Sequence, residues 1–232
     1  LWGSDNIKSN GGPIAQALAL MGANPRFDSH GRLCGADLVP LETLGRARID
    51  VVMTLSGIFR DLLPLQTKLL ADAALKCANA DEPLDMNPIR AHALAFMEKN
   101  GCDMQTAALR VFSNAEGAYG SNVNLLVDSS AFEDDGDLAD AYQSRKSFAY
   151  GVDGEASKQS ELLQDTLSNV ELAYQNLESV ELGVTSVDHY FDTLGGIAAA
   201  VKRAKNGAET PVYIGDQTRG SAKVRSLQEQ VS

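Results

Sequence analysis

The sequence predicts an α/β protein, with a mainly parallel sheet and flanking helices first and a helix-rich second half after it. Three observations carry this. In "RIDVVMTLSGIFRDLLPLQTKLLADAALKCA" the β-branched, apolar run Ile49 to Leu55 reads as a buried strand, Ser56-Gly57 as a turn, and the rest as a helix. The opening "LWGSDNIKSNGGPIAQALALMGA" repeats that order: a strand end, a polar glycine-bearing loop, then a helix from about Pro13. After "DEPLDMNP" the apolar spacing is mostly helical. Two strand-turn-helix units in succession favour parallel pairing.

Each element has its own signal. Ile14, Ala17, Leu18 and Met21 form one face of the first helix, and Gly22 is placed to cap it. In the second, Phe59, Leu62, Leu63, Leu69, Leu70, Ala73, Ala74 and Cys77 recur at helical spacing, while Lys68, Asp72 and Lys76 take the other side. Pro64 has to stand in or near a first turn, or it kinks the helix. Further helices are expected at about 88–99, 121–128, 135–145, 158–177 and 194–205. In 158–177, Leu163, Leu167, Val170, Tyr174 and Leu177 alternate by four and three residues, the pattern of a packing seam. "TPVYIGDQT" reads as a short strand, "SAKVRSLQEQVS" as helical, and "GVDGEASKQS" as a mobile polar loop. The expected division is residues 1–80 as the strand-turn-helix region and 81–232 as its helix-rich continuation.

Composition narrows the function classes. A net charge of −11 argues against nucleic acid or an anionic membrane as the main partner. No apolar run is long enough to span a bilayer, so no transmembrane segment is expected. Three isolated cysteines without a CxxC suit a reducing, cytoplasmic setting. The start at Leu1, with no leader pattern after it, reads as a fragment.

Several loops carry chemistry-bearing residues, each with a plain structural alternative. In a parallel sheet, ligands sit beyond the strands' carboxyl ends, which marks the loops at Gly3–Asn6 and Ser56–Asp61. "SVDHYFDTLGG" sets His189 between Asp188 and Asp192; the imidazole can act as a base or metal ligand, and Asp192 can bind a hard cation. Alternatively these aspartates cap a helix and Tyr190 and Phe191 pack. "RVFSNAEGAYGSN" offers Ser113, Asn114, Tyr119, Ser121 and Asn122 around two glycines, either a ligand cradle or a polar connection, and it is no Walker loop. Arg145 and Lys146 can clamp a carboxylate or complement a helix C-terminus. Glu82 and His92 are candidates for proton or metal handling, with helix-dipole pairing as the alternative for the acidic group. "EDDGDLAD" lacks the EF-hand pattern and reads as a solvated helix start.

The strings "LWGSDNIKSNGGPIAQALALMGA", "RIDVVMTLSGIFRDLLPLQ", "ADEPLDMNPIRAHA", "RVFSNAEGAYGSNVN", "SRKSFAYG", "AYQNLESVELGVTSVDHYFDTLGGIA" and "VYIGDQTRG" together resemble one family along essentially the whole chain. It is the large, porphyrin-binding H subunit of magnesium chelatase, in its bacteriochlorophyll-pathway form, related to the large subunit of aerobic cobaltochelatase. Members are much longer, so the resemblance implies an internal piece. It implies a ligase-type reaction in which Mg2+ enters protoporphyrin IX, with ATP hydrolysed by two partners, the AAA+ I subunit and the D subunit. Within that reading His189 is expected as proton acceptor or transient ligand, with Glu82 and His92 as further proton or metal handlers. Tyr190 and Phe191 are expected against the macrocycle, Arg145 and Lys146 on its propionates, Ser113 and Asn114 at the substrate, and Asp192 on the metal. Cobalt insertion into a corrin precursor and non-catalytic porphyrin carriage are the rival readings.

Overall fold

A computed structural model describes residues 1–118, 135–177, 194–216, 223–226 and 229. The chain divides into two compact units, Leu1–Ser113 with Phe148–Leu162, and Asn114–Ser147 with Leu163–Ser232. The boundary expected after residue 80 therefore falls inside the first unit.

In the first unit, α1 (Gly3–Lys8) takes up the segment expected as a polar loop, and α2 (Gly12–Met21) follows with Pro13 in its first turn. The predicted face of α2 is buried, and Gly22 closes the helix at φ 76°, its N–H reaching the carbonyls of Leu18 and Ala19. A hairpin of β1 (Ala23–Phe27) and β2 (Leu33–Leu38) leads to the single turn α3 (Leu41–Leu44).

The buried strand expected over Ile49–Leu55 is shorter than predicted: β3 is Met53–Thr54, and Ile49 is 44% exposed. Here Arg48 and Asp50 occupy alternate positions of an extended chain, so both turn inward and Ile49 turns out. Ser56 caps α4 (Gly57–Leu62) by accepting from the Phe59 N–H, and Pro64 opens a separate helix, α5 (Pro64–Asn79). The proline thus starts a helix instead of kinking one, which leaves Leu62 60% exposed although the spacing assigned it to the core. Asp72, expected on a solvated face, pairs with Lys76 at 2.9 Å and accepts from the Ala36 N–H of β2 at 2.8 Å.

Helices α6 (Pro88–Asn100) and α7 (Met104–Ala107) complete the crossover to β4 (Val111–Ser113), which lies parallel to β3. Leu1 joins the same parallel set: its amino group donates to the Thr54 carbonyl and its carbonyl accepts from the Ser56 N–H. After α8 (Asp135–Lys146), β5 (Phe148–Tyr150) and β6 (Ala156–Lys158) continue the sheet antiparallel, in the order β3-β4-β5-β6. The segment expected as a mobile loop is therefore the turn and second strand of this hairpin.

The α/β class holds, while among the described strand pairs of this unit only β3–β4 is parallel, with the Leu1 segment beside it. Parallel neighbours need a long crossover, supplied here by α4 to α7, whereas the short links after α8 permit antiparallel return.

The segment expected as one helix over 158–177 splits into α9 (Ser160–Ser168) and β7 (Ala173–Asn176). Leu163 and Leu167 are buried on α9, but Tyr174 is 39% exposed and Leu177 belongs to a sheet core, so the seam does not form. The four-three spacing coincided with a period of two that a short strand also satisfies. In the second unit, α10 (Gly196–Ala204) packs on α8, with Arg203 paired to Asp140. There β8 (Val212–Asp216) lies between β7, parallel, and β9 (Lys223–Ser226), antiparallel, so the expected closing helix is a strand at 223–226. Ala173, Leu177, Leu194 and Ile214 form the core beneath Ile197 and Val212. The helix expected over 121–128 lies outside the described residues.

Candidate functional site

The two edges of the β3–β4 pair carry different chemistry. At the carboxyl edge, Ser56, Arg60 and Ser113 are buried, and the Ser113 hydroxyl donates to the Leu55 carbonyl at 3.0 Å. Asn6, on the helix that follows the Leu1 segment, is also buried; its amide donates to the Trp2 carbonyl. The loops after successive parallel strands thus converge on one edge, as expected for "GSDN" and "SGIFRD". Ser113 belongs to the first unit, and Asn114, Arg145 and Lys146 to the second. Arg145 is exposed at the end of α8, while Lys146 and Ser147 are buried beside it.

The amino edge holds five ionisable groups joined in pairs: Arg48 with Glu82, and Asp50 with both Arg110 and His92. Chain extension into β3 turns Arg48 and Asp50 to the same side, where each meets one of the candidates from "DEPLDMNPIRAHA". Arg48, 1% exposed, donates from Nε and Nη2 to the two carboxylate oxygens of Glu82, both at 2.7 Å. Its remaining donors reach the carbonyls of Met21, Gly22 and Val39. Asn87 adds a hydrogen bond to Glu82 at 2.8 Å. The Arg48 bonds hold the Glu82 carboxyl below the usual range, with its charge and Asn87 acting in the same sense against the cost of burial.

Two residues on, Asp50 takes Arg110 and His92 together. Arg110 Nε donates to Oδ1 at 2.8 Å and Nη2 to Oδ2 at 3.2 Å, and His92 Nδ1 lies 2.8 Å from Oδ2. Burial by itself would push the Asp50 carboxyl up; the Arg110 charge and the bonds from His92 and Arg110 bring it down to about 2. Because Asp50 is an ionised acceptor, the proton of a neutral His92 ring belongs on Nδ1, and Nε2 carries the lone pair.

The structure thus brings Glu82 and His92 to one short stretch of chain, through Arg48 and Asp50, and places Ser113 at the opposite edge. His189, Tyr190, Phe191 and Asp192 lie outside the described residues, as do Tyr119, Ser121 and Asn122. Among the described residues no group of three or more His, Cys, Asp or Glu is arranged to hold a metal ion. Sequence reasoning missed Arg48, Asp50 and Arg110. The signal was there: three charged residues immediately before two apolar strand runs, two of them at i and i+2. No helix among the described residues is long and apolar enough to cross a membrane.

Comparison with known proteins agrees with this architecture. The chain is 73% identical over its whole length to the magnesium-chelatase H subunit of Rhodobacter capsulatus, and 71% identical to that of Cereibacter sphaeroides. It is 36% identical, over 99% of its length, to the aerobic cobaltochelatase CobN protein of a Sinorhizobium species. It spans about a fifth of the length of these relatives, 20%, 19% and 19% respectively. The catalytic subunit of cobaltochelatase from Mycobacterium tuberculosis matches the fold with a TM-score of 0.94 at 34% identity, over all of this chain and 20% of that one. The CobN/Magnesium Chelatase family model matches residues 1–232, and the chain belongs to that family.

Proposed function

We propose that the chain is part of the porphyrin-binding H subunit of a magnesium chelatase. The whole protein, in this reading, inserts Mg2+ into protoporphyrin IX in (bacterio)chlorophyll synthesis, in the cytoplasm, while partner I and D subunits hydrolyse ATP. The observation that carries the reading is identity of 73% and 71%, end to end, with two proteins named for magnesium chelatase.

The reaction must remove two pyrrole protons and strip water from an ion that gives it up reluctantly. A base of near-neutral pKa and oxygen donors for the ion serve these steps. His92 and His189 are the proposed proton acceptors, and Asp192 the oxygen ligand for the arriving metal. Arg145 and Lys146 are proposed for the propionates, Tyr190 and Phe191 for the macrocycle, and Ser113 and Asn114 for hydrogen bonds to substrate. Glu82, ionised and bidentate on Arg48, best serves as a fixed anchor of the His92 region rather than as a proton carrier.

The fold match to a cobaltochelatase catalytic subunit supports a second reading, Co2+ insertion into a corrin precursor. Both are tested by reconstituting the full-length protein with its I and D partners and ATP, and offering protoporphyrin IX with Mg2+ or a corrin precursor with Co2+. Magnesium porphyrin formation is expected. Cobalt insertion alone moves the protein to the second reading, and tight porphyrin binding with no insertion of either metal makes it a carrier.

A further inference from the structure

Arg110 is 1% exposed and has no freedom left: Nε and Nη2 hold Asp50, and Nη1 donates to the carbonyls of Ala107 and Leu109 at 2.8 and 2.9 Å. Asp50, itself 11% exposed at its side chain, is therefore fixed in place and ionised. His92 stands differently. Its ring keeps 32% exposure, and its Nδ1 is held against Oδ2 of Asp50 at 2.8 Å. A carboxylate behind an imidazole sets its tautomer, directs its other nitrogen outward and stabilises the imidazolium once a proton arrives. An ion pair meant only to bind α6 to the sheet needs no imidazole with an accessible ring; Arg110 and Asp50 already close that edge.

We propose, resting on the magnesium-chelatase reading, that Asp50, clamped by Arg110, is a positioning residue that makes Nε2 of His92 the acceptor for a pyrrole proton during metal insertion. The pyrrole N–H bond breaks, its electron pair stays on nitrogen to bind Mg2+, and the proton passes to Nε2. The imidazolium, paired with Asp50, then releases that proton to water through the exposed side of the ring, and a second passage removes the second proton.

The test uses the full-length protein with its ATPase partners. His92→Gln keeps a donor toward Asp50 but no base, and is expected to lower single-turnover insertion about 100-fold, the usual scale of lost general-base catalysis, with porphyrin affinity and thermal midpoint near wild type. His92→Ala should regain insertion on addition of free imidazole, because the small base can occupy the space facing Asp50. His92→Ala/Asp50→Asn should not regain it, and Asp50→Asn alone should lower kcat about 10-fold with little change in the KM for porphyrin. Wild-type turnover by His92→Gln, or equal rescue of the single and double variants, overturns the positioning role while leaving the chelatase reading intact. A wild-type protein that inserts no Mg2+ removes the reading and this role with it.

Discussion

Arg48 and Glu82 meet through two parallel hydrogen bonds of 2.7 Å, with the guanidinium 1% exposed and the carboxylate at its rim. Three further carbonyls, from Met21, Gly22 and Val39, complete the arginine's partners, so one side chain ties α2, the β2 exit and the α5–α6 link to the chain entering β3. Removing one member of such a pair leaves a buried charge without its counterion, which is more damaging than the pair is stabilising.

Glu82→Ala is accordingly expected to destabilise the protein by about 3 kcal/mol, the scale for breaking a buried pair. Glu82→Gln, which keeps one oxygen for the guanidinium and Asn87 to share, should cost less than half as much. Denaturant midpoints of the two variants in the full-length protein measure this order. Metal insertion provides the second readout: if Glu82 is an anchor, the glutamine variant stays within a few-fold of wild type, and a collapse of turnover in a well-folded glutamine variant would instead make Glu82 a proton carrier.

Asp50 makes stability depend on acid in a predictable window. Its folded-state carboxyl sits at about 2, below the ordinary aspartate value of 3.8, so the folded form binds the proton more weakly than the unfolded form. The stabilisation from this group is therefore fully present above about pH 5 and is lost as pH falls through 4 toward 2, where the folded carboxylate protonates. The shift corresponds to about 2 kcal/mol. Thermal unfolding of wild type and Asp50→Asn, followed from about pH 6 to about pH 3, should show the wild-type advantage shrinking with acid. A constant gap between the two would mean that Asp50 acts through shape and not through charge.

The parts of this fold that were legible in the sequence are those set by local rules. Gly22 past the end of an apolar-faced helix, Ser56 as a cap and Pro64 at a first turn all stand where chain stereochemistry puts them. What was not legible is what depends on partners far along the chain. Asp50 reaches Arg110 and His92 across 60 and 42 residues; its place at i+2 from Arg48, just before an apolar run, marks the pair as sharing one face, but nothing local names the partners it meets. The same holds for Ala173–Asn176, whose strand state comes from pairing with Val212–Gly215 while its spacing also suits a helix. At the candidate site, the sequence marked Glu82 and His92 by their place near a helix start, but not the charged side chains that fix each of them.

That strand offers a direct test of its own register. In β7–β8, Asn176 pairs with Gly215, and the Tyr174 ring lies over the glycine while its hydroxyl donates to Asn176 Oδ1 at 2.7 Å. A Cβ at position 215 would collide with the Tyr174 hydroxyl and stand 2.7 Å from Cζ, inside any real contact. The tyrosine is 39% exposed and can swing out, at the loss of its hydrogen bond and its cover of the strand. Gly215→Ala is therefore expected to cost about 1–2 kcal/mol, Tyr174→Ala about 1 kcal/mol, and the double variant clearly less than the sum, because once the ring is gone the methyl group meets no obstacle. A double-mutant cycle on denaturant midpoints reads the coupling. If 158–177 were one helix, these two positions would share no contact, and the two costs would simply add.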